Sequence, residues 1–128
     1  MIWSKCQPNM RRIKQNESDE IPGKRCCEMM KKDAKIYVAG HTGMVGSAVV
    51  RELEKQGYYN IVTRSHKELD LTRQEPVELF FRMERPEYVF HPAGRVGGII
   101  ANNESPADFM YENMMMEMNV IHAAWKNG

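Results

Sequence analysis

The strongest constraint on this chain is a seven-residue stretch, Gly40-His41-Thr42-Gly43-Met44-Val45-Gly46, with a glycine at every third position. Before it stands Ile36-Tyr37-Val38-Ala39, a short β-branched and aromatic run that reads as a strand. After it, Val45, Ala48, Val49 and Leu53 recur at helical spacing until Gly57, which suits a helix C-cap. Glycines at a strand-to-helix turn have separate uses. Gly40 lets the chain leave the strand sharply, Gly43 lets backbone approach a bound group closely, and Gly46 lets the helix pack tightly. Unpaired N–H groups at the helix start then face outward, where the helix dipole favours an anion. A strand, this loop and a helix together predict a diphosphate cradle for a dinucleotide, with Gly40, His41, Thr42, Gly43, Met44, Val45 and Gly46 as its residues.

The rest of the pattern extends the same architecture. Ile61-Val62-Thr63 reads as a second strand and Tyr88-Val89-Phe90 as a third. Between them, Thr72-Arg73-Gln74-Glu75 has the form of a capping box before Val77, Leu79, Phe80 and Met83. Pro76 would delay that helix, because it lacks a backbone donor. Glu68-Leu69-Asp70-Leu71 is too close to the second strand for a crossover, so it is expected to run extended along the top of the sheet. After the Gly-rich Gly94-Arg95-Val96-Gly97-Gly98, a helix is predicted from about Pro106 to Trp125, with Met110, Met114, Met118, Ile121 and Trp125 on one stripe. This β-α-β-α-β-α alternation predicts an α/β fold: part of a Rossmann, doubly wound parallel sheet, with three main strands and flanking helices.

Charge and cysteine usage separate the first 35 residues from the remainder. Residues 1–35 hold nine Lys/Arg and five Asp/Glu, whereas residues 36–128 hold nine and twelve. Cys6, Cys26 and Cys27 are the three cysteines. Their odd number and the adjacent pair argue against a disulfide framework or a metal site, and fit reduced thiols in the cytoplasm. Residues 1–29 show no sustained period and read as loop or disorder, with neither a secretory core nor a transit-peptide composition. Translation starting at Met29 or Met30 is one explanation of this stretch, and a basic docking tail is another. The domain expectation is an extension over 1–32 and a dinucleotide-binding part over 33–128. The net charge of +1 gives no reason to expect nucleic acid, and no apolar run is long enough for a membrane.

Dinucleotide-binding sheets that prefer NAD place an acidic residue near the end of the second strand, on the ribose 2′-OH. Here that position holds Arg64-Ser65-His66-Lys67, cations suited to a 2′-phosphate and so to NADP; Asp70 and Leu71 would lie near the adenine. The alternative is a solvated basic turn. His122 and Glu112 read as ordinary helix residues, Arg95 as a surface residue, and Met114 to Met116 as core and dimer packing. For Asn119, a water-supporting role and a simple helix contact stand level.

The segments KIYVAGHTGMVGSAV, NIVTRSHKELDLT, RVGGIIANNESPADFMYEN and NVIHAAWKNG resemble the GDP-L-fucose synthase family, within the extended short-chain dehydrogenases. The resemblance covers residues 33–128. It implies a cytoplasmic, homodimeric oxidoreductase and isomerase of nucleotide-sugar metabolism. Such an enzyme epimerises a GDP-4-keto-6-deoxy sugar and reduces it with NADPH to GDP-L-fucose. It also implies that His66, Lys67, Glu68, Leu69, Asp70 and Leu71 form the 2′-phosphate and adenine segment, and that Ala93 and Gly94 lie beside the coenzyme. Thr42 and His66 stand where the family commonly has Arg, which weakens charge-assisted phosphate binding.

The family's chemistry requires a Ser, a Tyr-x-x-x-Lys pair and a Cys/His pair. Four residues after Tyr37, Tyr58, Tyr59, Tyr88 and Tyr111 come His41, Val62, Thr63, Pro92 and Met115, and no Cys follows residue 27. The expectation is an N-terminal, coenzyme-binding fragment that lacks the catalytic part, the later strands and the substrate domain, and is inactive alone. The alternative is a non-catalytic NADP-binding module that dimerises with a full-length relative.

Overall fold

The computed structural model describes residues 2–4, 30–97 and 99–128. Its elements are β1 (Ile2–Ser4), β2 (Ile36–Ala39), α1 (Met44–Lys55), β3 (Ile61–Arg64), α2 (Gln74–Glu84), β4 (Tyr88–Phe90), α3 (Ile99–Glu104) and α4 (Pro106–Asn127). They form one four-stranded sheet in the order β1-β4-β2-β3. Strand β2 is parallel to both β3 and β4, whereas β1 runs antiparallel to β4 with Trp3 opposite Val89.

All four residues of β2 are buried, as a central parallel strand requires when helices cover both faces. Alternation divides its side chains between two cores. Ile36 and Val38 pack with Leu53 and Tyr58 on the α1 side. Tyr37 and Ala39 pack with Val77, Phe80, Phe81, Val120 and Ala123, on the side of α2 and α4. Tyr37 meets the Phe80 and Phe81 rings at 4.7 and 5.9 Å in tilted and edge-on geometry, favourable arrangements for ring quadrupoles. Burial pushes its phenol pKa up to about 12, with the charge of Arg64 opposing.

Local chemistry sets the element ends. Helix α1 closes at Gly57, whose φ of +83° is left-handed. Gly57 N–H donates to Glu54 and Tyr58 N–H to Leu53, while Tyr58 and Leu53 share a core, so a Schellman cap ends the helix. Arg85 ends α2 in the left-handed region at φ 45°, although it carries a side chain.

Four details differ from the sequence expectation. Helix α2 starts at Gln74 without a capping box: Thr72 instead donates its hydroxyl to Asp70 Oδ1 at 2.7 Å. Turns at 66–68 and 71–72 interrupt the expected extended stretch, and Leu69 and Leu71 are buried in the core. The six-residue α3 was not expected, nor was β1, which falls inside the stretch read as loop. The remaining expectation of disorder, over 5–29, lies outside the described residues.

The methionine stripe of α4 faces away from the sheet. Met110, Met114, Met118 and Trp125 are 67%, 53%, 60% and 63% exposed. The buried face of α4 is carried by Asn119, Val120 and Ala123. Small Ala123 and β-branched Val120 fit closely over the sheet, whereas the longer methionines project from the opposite side.

Candidate functional site

Connections leave β2 and β4 toward opposite faces of the sheet, since α1 covers one face and α4 the other. A crevice between the carboxyl ends of two such strands is where open α/β sheets bind ligands. Its walls here are the turn Gly40–Gly46 after β2 and the stretch His91–Gly97 after β4.

Two glycines of the first wall, Gly40 and Gly46, are required by contact. Gly40 has φ +73°, and a Cβ there would lie 2.7 Å from Ala93 Cα. At Gly46 a Cβ would lie 2.0 Å from the Gly40 carbonyl oxygen and 2.9 Å from His41 Cα, so α1 rests directly on the turn that precedes it. Gly43 has an ordinary φ of −74° and serves as N-cap without any side-chain cap hydrogen bond. The first turn of α1 has no acidic residue. Its leading N–H groups lack intrahelical partners, and Met44 and Val45 beside them are exposed. A cradle that any Cβ would fill, at an uncapped and dipole-positive helix start, fits a diphosphate. His41 is half-buried, with Nδ1 lacking a hydrogen-bond partner, and Thr42 is exposed.

The residues after β3 divide into two groups. Arg64 turns away from the cleft: Nη2 meets Glu84 Oε1 at 2.8 Å, and the guanidinium lies 5.5 Å from the Phe80 ring centroid. Glu84 also pairs with Lys35 at 3.2 Å. His66 and Lys67 remain exposed at the tip of the turn. That turn is shaped by Glu68, whose Oε2 accepts from Ser65 N–H at 2.8 Å and from Ser65 Oγ at 2.6 Å, bonds that hold its pKa below the usual carboxylate range. Asp70 is likewise lowered, first by the Thr72 hydroxyl bond. Leu69 and Leu71 give their side chains to the core, which leaves only their backbone to line the cleft. Asn119 is buried and donates to the Leu71 carbonyl at 2.9 Å, a structural tie between α4 and this turn.

On the second wall, Ala93 sits against Gly40, and Gly94 is exposed next to Asn113. His91 is half-buried with both ring nitrogens lacking hydrogen-bond partners. Burial pushes its pKa down, and the charge of Glu117 partly offsets this. Arg95 pairs with Glu112 at 2.6 Å and lies 4.5 Å from the Phe109 ring centroid. His122 is exposed, 3.7 Å from Glu78 and stacked on Trp125. No group of three potential metal ligands occurs among the described residues. Sequence reading missed Asn113 and Glu84, because their partners lie 18 and 20 positions away and no short motif marks them.

Comparison with known proteins agrees with this geometry. The chain is 53% identical over 109 residues to GDP-L-fucose synthase 1 of Arabidopsis thaliana, covering 85% of this chain and 34% of that protein. It is 50% identical over 93 residues to the Escherichia coli GDP-L-fucose synthase, covering 73% and 29%. Among solved structures, a Campylobacter jejuni GDP-mannoheptose C4 reductase with NADP bound superposes with a TM-score of 0.74 at 46% identity, over 77% of this chain and 31% of that one. A Naegleria fowleri GDP-L-fucose synthetase bound to NADP gives 0.67 at 30% identity, over 77% and 32%. The chain thus spans about a third of the length of these relatives. Residues 36–128 match the NAD dependent epimerase/dehydratase family, and with its glycine turn set at the crevice of a parallel sheet, the chain belongs to that family.

Proposed function

We propose that residues 33–128 bind NADP and form the coenzyme-binding part of a GDP-L-fucose synthase. Such an enzyme converts GDP-4-dehydro-6-deoxy-D-mannose to GDP-L-fucose by 3,5-epimerisation and NADPH-dependent 4-reduction, in the cytoplasm. The observation that carries this reading is the contact of Gly46 with the Gly40 carbonyl, which brings α1's free N–H groups to the mouth of the crevice. The coenzyme supplies hydride when bound. This chain's residues would hold its diphosphate at Gly40–Gly46 and flank it with Ala93 and Gly94, while His66 and Lys67 offer charge to the 2′-phosphate. Arg64, held by Glu84, is not assigned to that phosphate.

None of the tyrosines here has a lysine four residues on, so these residues supply no proton donor of the Tyr-x-x-x-Lys kind. We expect NADPH to bind and no GDP-sugar to be reduced by the 128-residue chain alone. Titration with NADPH, followed by melting temperature and by amide resonances of residues 40–46, tests the binding. A folded sample in which neither changes would end the proposal. Consumption of NADPH on adding GDP-4-dehydro-6-deoxy-D-mannose would overturn the inactive reading.

A second reading is favoured by the exposed Met110, Met114, Met118 and Trp125 face of α4. A long apolar helix face, rich in adaptable methionine, suits burial against another subunit. On this reading the chain is an NADP-binding module that pairs with a full-length relative, as the intact enzyme would pair with itself. Sedimentation with and without an intact synthase separates the readings, since a non-pairing chain stays at its monomer mass in both.

A further inference from the structure

We propose that Asn113 is a positioning residue for the coenzyme cleft, fixing the wall after β4 by clamping the backbone of Arg95. The inference rests on the coenzyme-binding reading above and deepens it.

The stretch from His91 to Gly97 is neither helix nor strand, yet it must stand at a set distance from the glycine turn. Asn113 Oδ1 accepts from Arg95 N–H at 2.7 Å, and its Nδ2 donates to the Arg95 carbonyl at 3.0 Å. One planar amide thereby imitates a strand neighbour, and two bonds fix both the position and the tilt of that residue where one would let it swivel. A Cβ added on Gly94 would lie 3.4 Å from the same Oδ1, so the clamp runs close beside the preceding residue.

The grip is reinforced from a single helix face. Phe109, Glu112 and Asn113 are spaced at i, i+3 and i+4 on α4, and all three hold Arg95: by ring, by carboxylate and by amide. The helix is itself fixed, by Asn119 on the Leu71 carbonyl and by Lys126 on Glu78 of α2. Ala93, two residues before Arg95, sits where a Gly40 Cβ would be, 2.7 Å from its Cα. The two cleft walls are therefore in backbone contact, and a displacement of Arg95 reaches the glycine turn through Ala93. An aliphatic or purely accepting side chain at 113 could not hold both Arg95 peptide groups.

The test uses the whole chain with Asn113→Asp, which keeps the shape but sets a carboxylate against the Arg95 carbonyl, and Asn113→Ala as the second variant. Val77→Ala serves as a comparison that loses stability in the core, far from the clamp. NADPH affinity by calorimetry, melting temperature and the amide shifts of Gly40 and Gly43 are recorded for each. Both Asn113 variants should weaken NADPH about tenfold, or roughly 1.4 kcal/mol, and move the Gly40 and Gly43 resonances. Val77→Ala should lower the melting temperature with affinity unchanged. Wild-type affinity in a folded Asn113 variant, or unmoved glycine resonances, would overturn the clamp alone. Failure of the wild-type chain to bind NADPH would bring down the coenzyme reading and the clamp together.

Discussion

Gly46 is the residue least able to change. With 2.0 Å between an added Cβ and the Gly40 oxygen, Gly46→Ala must push α1 off the turn. We expect a loss of several kcal/mol in denaturant unfolding, within the range for overpacked backbone contacts. Arg85 presents the opposite case, a side chain at a left-handed φ of 45° where glycine would relax. Arg85→Gly should raise stability by up to about 1 kcal/mol, visible as a higher melting temperature. The half-buried His91 and the buried Tyr37 respond to pH in opposite directions. Burial lowers the His91 pKa from its ordinary 6.5, so the folded chain binds fewer protons there than the unfolded one. Its contribution is present above 6.5 and is lost as pH falls. Tyr37 is raised from 10.0 to about 12, so its contribution is present below 10 and is lost as pH rises. His91→Phe should make the acid limb of stability measured against pH less steep near 6.5, leaving the part at lower pH that belongs to the lowered Asp70, and leave the alkaline limb in place.

At the scale of elements, α4 makes the sharpest case. Asn119→Ala would leave the buried Leu71 carbonyl without its donor, at a cost of about 1–3 kcal/mol. Thermal unfolding should show this as a drop on the order of 4–8 °C per kcal/mol. The same helix shows what the sequence could and could not reveal. Its length and period were legible from Pro106 onward, as were β2, β3, β4 and the glycine turn, because each carries a local chemical signal. The phase of α4 was not legible. Hydrophobicity ranks Met above Ala, yet close packing over β2 and β4 selects Val120 and Ala123, with Met116 beside them, and sends Met110, Met114 and Met118 outward. The capping box at Thr72 failed for a related reason: Asp70 lies two residues away and claims the hydroxyl first. Within the candidate site, the glycine cradle could be read directly. The diversion of Arg64 to Glu84 and the tie of Asn119 to Leu71 depend on side chains brought together only by the fold.

For the whole molecule, the order β1-β4-β2-β3 places the three parallel strands around a buried β2 with a core on each face. The two cleft walls spring from adjacent strands, each of which packs against a core. Arg64 is tied at this scale too, in the ion-pair group of Lys35 and Glu84, and on the coenzyme-binding proposal it takes no part in choosing between NADPH and NADH. Arg64→Gln should therefore lower thermal stability while the ratio of NADPH to NADH affinity holds steady, and His66→Gln with Lys67→Gln should lower that ratio. Calorimetric titration with the two coenzymes decides between these outcomes. At the other margin, three residues from far upstream lie along β4 in the reverse direction. Peptide donors and acceptors on that flank of β4 are taken up by Ile2–Ser4, which moves the free edge on this side of the sheet from β4 to the three-residue β1.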